Sequence, residues 1–207
     1  MTHYPASHEG SLNSILVLAH GAGAGERHPF MAAFGRGLAA AGIDVVTFNF
    51  PYMEQKRRVS DKAPVLEQRF REVVESTRSD RMKGRRLFIG GKSMGGRIAT
   101  HLAAQGSIDD LKGVVALGYP LHPPGKPEQP RIAHLPSIAV PMLIVQGERD
   151  TFGTPSELEP VIETMKAPVT IHVVEGGDHS LKVRGRSSEL VHAAVFAAIV
   201  EWMRRSG

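Results

Sequence analysis

Short runs of apolar and β-branched residues recur along the chain at positions 15–19, 43–50, 87–90, 113–117, 142–145 and Val169–Val174. Within each run apolarity is largely continuous rather than alternating, which predicts strands covered on both faces, as in a parallel sheet. Stretches with a helical period lie between them. Residues 30–41 form one; residues 65–77 form another, with Leu66, Phe70 and Val73 on a single stripe; residues 93–105 form a third. Thr154-Pro155-Ser156-Glu157 reads as a helix start, with Thr at the N-cap, Pro in the first turn and Glu closing a capping box. Ser188–Arg205 is apolar around much of its circumference and is expected to pack hard against the sheet. Six strands alternating with five or so helices predict a doubly wound, three-layer α/β sandwich. In such a sheet, chemistry belongs beyond the carboxyl ends of the strands.

Composition narrows the class. At 207 residues the chain is expected to be a single domain spanning 1–207, and 42% apolar with 22% charged residues is ordinary for a globular protein. The longest wholly apolar stretch, 193–200, is far shorter than the ~20 residues of a membrane span, and the first residues lack the basic start and apolar centre of a secretory signal. With no cysteine, disulfide scaffolds, zinc fingers and thiol nucleophiles are excluded. A cytoplasmic location is the default expectation. The net charge of +4 raises the question of nucleic acid, but Lys56-Arg57-Arg58, the run at 81–86 and Arg204-Arg205 are scattered among acidic residues. No aromatic platform or recognition motif accompanies them, so a solvated basic face is expected and no nucleic-acid partner. No two of the ten histidines have the H-x-x-x-H spacing of a zinc helix; neither a metal nor a cofactor is expected.

The chemistry concentrates in Arg86-Leu87-Phe88-Ile89-Gly90-Gly91-Lys92-Ser93-Met94-Gly95-Gly96-Arg97. This segment reads strand, abrupt turn, helix, with G-x-S-x-G (Gly91, Ser93, Gly95) across the turn. Such a turn crowds the positions two before and two after the serine, where a Cβ would clash, and it exposes Oγ beside a helix N-terminus whose dipole favours developing negative charge. G-x-S-x-G is weak evidence by itself, since so short a pattern can arise at random; the strand–turn–helix context is what makes it informative.

A serine hydroxyl needs a base, and the base needs an orienting carboxylate. In this arrangement the two follow in the order acid, then histidine, after later strands. Asp150 lies just past the strand in PMLIVQGERD, and His179 follows the next one in VTIHVVEGGDHS. Glu148, in the same turn as Asp150, is the alternative acid, and Asp178 reads as a turn residue shaping the histidine loop. Backbone N–H donors for an oxyanion are expected from Met94, directly after the serine, and from Ala22, with Gly23 the alternative, in the small-residue loop HGAGAG after the first strand. His20 reads as a structural residue beneath that loop. A phosphate-cradling role does not fit, since the P-loop lysine is missing and Glu26 stands where G-x-G-x-x-G needs its last glycine.

Together, HGAGAG, GKSMGG, GERD and GGDHS resemble the α/β-hydrolase superfamily, most nearly its small, lid-poor bacterial members akin to dienelactone hydrolases. The resemblance covers roughly residues 13 to 205. It departs from dienelactone hydrolases themselves in having Ser93 where they have cysteine, so their substrate is not carried over. Only about thirteen residues precede the first strand, which implies a loose N-terminal arm (1–13) and a minimal six-stranded, mostly or wholly parallel core. Where larger relatives insert a helical cap, residues 118–141 hold half of the fourteen prolines, among them Pro120, Pro123, Pro124 and Pro127. That composition predicts a stiff rim loop and no cap. Tyr119, Leu121 and Phe152 are candidate walls of an open, shallow cleft, with packing inside the loop the equal alternative.

The resemblance implies a serine hydrolase acting on a small-molecule carboxylic ester through an acyl-enzyme, without a membrane partner and as a monomer or homodimer. Thioester, lactone or peptide cleavage uses the same triad, and a non-catalytic hydrolase-like binding module is the alternative from another class.

Overall fold

A computed structural model describes residues 1–7, 11–81 and 84–206. Seven strands, β1 (Thr2–Tyr4), β2 (Ser14–Ala19), β3 (Asp44–Phe48), β4 (Arg86–Lys92), β5 (Leu111–Leu117), β6 (Met142–Gly147) and β7 (Val169–Val174), form one sheet in the order β1-β3-β2-β4-β5-β6-β7. Every neighbouring pair is parallel except β1 with β3, which is antiparallel. The six runs read from the sequence are the six parallel strands.

Alternation along each strand divides the core in two. Ile15, Val17 and Ala19 of β2 face one side with Leu66, Phe70, Ile98 and Leu102, which belong to α3 (Ala63–Arg81) and α4 (Met94–Ala104). Leu158 of α5 (Pro155–Ile162) joins the same side. Leu16 and Leu18 face the other, with Phe34 and Leu38 of α1 (Pro29–Ala40) and Val195 and Ile199 of α6 (Ser188–Arg205). Both faces of the sheet are therefore covered, as the continuous apolarity required. Helix α5 opens with the expected capping box, Thr154 and Glu157 bonding reciprocally.

Two elements differ from the sequence expectation. The sheet has seven strands rather than six, because Thr2–Tyr4 is not loose. It pairs with β3, His3 Nε2 lies 2.8 Å from Asp44 Oδ1, and the Tyr4 ring occupies the space where a Cβ on Gly35 would sit. The apolar run 43–50 ends as strand at Phe48. Phe50 precedes Pro51 in the first turn of a short helix, α2 (Pro51–Glu54), where the missing proline N–H is not needed. Of the N-terminal arm, His8, Glu9 and Gly10 lie outside the described residues, as do Met82 and Lys83 of the basic run. Two other cations of that run are not simply solvated: Arg85 pairs with Asp44 at 2.8 Å, and Arg86 donates to the carbonyls of Met203 and Leu12.

Residues 118–141, between β5 and β6, contain one 3-10 turn (Leu135–Ser137) and no cap. The segment is pinned by Arg131 N–H to Leu121 O at 2.7 Å and by the Tyr119 hydroxyl to Arg131 O at 2.7 Å. His134 anchors it to α4 through Thr100 Oγ1, 2.8 Å from Nε2. Because that hydroxyl donates to Arg97 O, it accepts from a neutral His134. Burial pulls the His134 pKa down to about 4, with the charges of His101 and Arg97 adding to it. The unfolded chain takes up this proton near pH 6.5, while the folded protein resists until about pH 4. Stability is thus full above pH 6.5 and falls as the pH drops towards 4. Urea titrations at pH 7 and pH 4.5 should show the parent losing about 2 kcal/mol more than His134→Asn. Equal losses would contradict this.

Among the described residues, no helix is long and apolar enough to cross a membrane.

Candidate active site

Strand β4 delivers Ser93 into the N-terminus of α4 through a turn that only small neighbours permit. Ser93 adopts φ 50° and ψ −115°, a strained backbone for a residue with a Cβ. A Cβ on Gly91 would come within 2.5 Å of the Gly95 backbone, and one on Gly95 within 2.5 Å of Ala19 O. The turn therefore packs directly on the end of β2. Ser93 N–H bonds Leu117 O at 2.9 Å, which ties it to β5 as well.

Ser93, Asp150 and His179, from three separate loops, are brought together. His179 Nε2 lies 2.9 Å from Ser93 Oγ, and Nδ1 lies 2.8 and 3.0 Å from Asp150 Oδ2 and Oδ1. With its proton on Nδ1, the imidazole donates to the carboxylate and leaves Nε2 free to accept from the serine. Asp150 is only 1% exposed, and two further donors support its charge: Phe152 N–H at 2.8 Å and Gln146 Nε2 at 2.9 Å. Glu148, the alternative acid, instead accepts from Gly176 N–H at 2.7 Å. Asp178 bonds the N–H groups of Ser180 and Lys182 and shapes the histidine loop.

The loop after β2 lies beside the serine, and a Cβ on Gly21 would touch Ser93 Cβ at 3.6 Å. Among the described residues, the N–H groups of Ala22, Gly23 and Met94 make no internal hydrogen bond, so all three are free to donate. His20 is fully buried under the loop, with Nδ1 donating to Gly21 O at 2.8 Å and Nε2 accepting from Phe50 N–H at 3.1 Å. Both bonds require the neutral ring, and burial lowers its pKa accordingly.

The candidate wall residues divide. The Phe152 ring stacks on His179, centroids 4.1 Å apart, whereas Leu121 is buried in the core beside Gly153. Tyr119 does not line an open cleft: it is fully buried, with its hydroxyl committed to the rim loop. Its position directly after a strand end reads the same for either fate.

Two supporting residues escaped the sequence reading. Gln146 is fully buried at the end of β6, where it links Asp150 to Tyr119 N–H and Gly153 O; a lone amide in the run MLIVQG was the available signal. Tyr52 donates to Ala22 O at 2.9 Å and so fixes the loop carrying the free N–H groups. Burial pushes its pKa up to about 12, and it remains a donor. Nothing in the sequence around Tyr52 marks that contact. Among the described residues, no three histidine, aspartate or glutamate side chains are grouped to hold a metal ion.

Residues 13–205 match a family model described as an alpha/beta hydrolase domain. Solved structures with the same fold include a dienelactone hydrolase from Anabaena variabilis, 18% identical over 97% of this chain and 89% of that one, TM-score 0.75. A lid-less α/β serine hydrolase from Xanthomonas campestris is 18% identical over 98% and 87%, TM-score 0.74. A monoacylglycerol lipase from Paleococcus ferrophilus is 18% identical over 100% and 98%, TM-score 0.73.

Proposed function

Because the chain belongs to the α/β-hydrolase family, we propose that it is a serine hydrolase, a single catalytic domain that cleaves small-molecule carboxylic esters through an acyl-enzyme on Ser93. The observation that carries this reading is the unbroken line of hydrogen bonds from the Asp150 carboxylate, through both nitrogens of His179, to Ser93 Oγ. That line is the arrangement a weak oxygen nucleophile requires.

Ser93 Oγ attacks the ester carbonyl as His179 Nε2 takes its proton. The carbonyl π electrons move onto oxygen, and the N–H groups of Met94 and Ala22 (or Gly23) hold the resulting oxyanion at the N-terminus of α4. Asp150 keeps the proton on Nδ1 and stabilises the imidazolium. When the tetrahedral intermediate collapses, the C–O bond to the alcohol breaks and Nε2 returns the proton to the departing oxygen. Water then attacks the acyl-enzyme by the same route and frees Ser93. Each oxyanion donor is worth roughly 3–4 kcal/mol in such reactions.

The rim over this site is a pinned loop rather than a helical cap, which favours acyl groups that need little enclosure. Initial rates on p-nitrophenyl esters are expected to be highest for acetate and butyrate and about tenfold lower in kcat/KM for palmitate. A fluorophosphonate should abolish them. Turnover insensitive to the fluorophosphonate would count against the serine, and a palmitate preference against the open cleft.

A further inference from the structure

Lys92 has no part in the chemistry above, yet it stands between Gly91 and Ser93 at the end of β4. Its side chain turns inward. Nζ donates to the backbone carbonyl of His179, and among the described residues no other donor reaches that oxygen. Gly118, at the end of β5 with φ +64°, leaves the necessary room: a Cβ there would come within 2.7 Å of Lys92 Nζ and 3.4 Å of His179 Nδ1. The Lys92 stem also passes Gly21, whose added Cβ would meet Lys92 Cγ at 3.7 Å. One side chain thus threads the ends of three strands and finishes under the backbone of the residue that carries the imidazole.

We infer that Lys92 is a positioning residue, a brace from the serine's own neighbour that holds the histidine loop at hydrogen-bonding distance from Ser93. The inference rests on the proposed serine mechanism. The loop bearing His179 is otherwise held on either side of that residue, by Asp178 N–H to Lys182 O, Leu181 N–H to Asp178 O and Arg149 N–H to Gly177 O, and by Asp178 Oδ1 accepting from the N–H groups of Ser180 and Lys182. Among the described residues, Lys92 alone joins the His179 backbone to the strand that delivers the nucleophile. Burying an ammonium is costly unless its charge is met; here Asp150 and Asp178 supply the opposing charge. Burial pulls the Lys92 pKa down to about 8 while both carboxylates pull it up, so the group is still largely charged at neutral pH.

Lys92→Met keeps the length and apolar stem and removes the donor. It should lower kcat for p-nitrophenyl butyrate by about 10- to 100-fold, as a displaced catalytic group does, with KM within about twofold of the parent. The chain has no cysteine, so Lys92→Cys can be alkylated at that position alone. Treatment with 2-bromoethylamine in denaturant forms a carbon–sulfur bond, expels bromide and rebuilds an amine at lysine length; the parent is carried through the same unfolding and refolding. The aminoethylated protein should recover to within about threefold of the treated parent, while the unalkylated cysteine variant stays impaired. A folded Lys92→Met with parental kcat would overturn the brace, as would an alkylated protein no faster than its cysteine precursor. If Lys92→Met does not fold, the cysteine pair decides alone. A parent with neither ester turnover nor fluorophosphonate labelling would instead remove the serine mechanism on which the brace depends.

Discussion

Ser93→Ala is expected to lower kcat for p-nitrophenyl butyrate by at least about 10⁴-fold, because no other step in the cycle proceeds without the nucleophile. The fold should be retained. What Ser93 contributes to the framework is backbone: its N–H to Leu117 O and its carbonyl to Arg97 N–H, both kept by alanine. Alanine is no more strained than serine at φ 50°. Its thermal midpoint should therefore match the parent within a few degrees, and any residual rate should respond to oxyanion donors rather than to fluorophosphonate. Unchanged turnover in a folded Ser93→Ala would refute the nucleophile assignment.

Asp150→Asn should cost about 10³- to 10⁴-fold in kcat. The carboxylate accepts from His179, Gln146 and Phe152 at once. An asparagine whose oxygen satisfies Phe152 puts its NH₂ in the place of Oδ2, against both the Gln146 amide donor and His179 Nδ1. The imidazole then moves its proton to Nε2, where it can no longer accept from Ser93. Glu148→Gln should change kcat by less than about threefold, since its contact is with the Gly176 N–H at the surface. Measuring the two side by side decides the acid: a large loss in Glu148→Gln with little in Asp150→Asn would reverse the roles.

Much of this was legible because the residues concerned act locally. The parallel strands carry their burial on both faces as continuous apolarity, and the serine turn writes its crowding into Gly91 and Gly95. Asp150 and His179 could be named from their places after β6 and β7. Residues that act only through distant partners were not legible. Thr2–Tyr4 has no apolar run and becomes a strand through Asp44 and Gly35, some 40 and 30 positions away. Tyr52 and Lys92 matter because of carbonyls supplied by other loops. Tyr119 stayed open between cleft wall and loop packing because a residue after a strand end can turn towards the cleft or the core, and a rim-loop carbonyl decided it.

The most direct test is to quench the protein with acid during turnover of a slowly deacylating p-nitrophenyl ester, then locate the acyl group by peptide mass mapping, with Ser93→Ala as the blank. One acyl group per chain, confined to the peptide containing Ser93 and absent from the blank, is the predicted result. Turnover with no trapped acyl group, or one carried elsewhere and equally by Ser93→Ala, would contradict it.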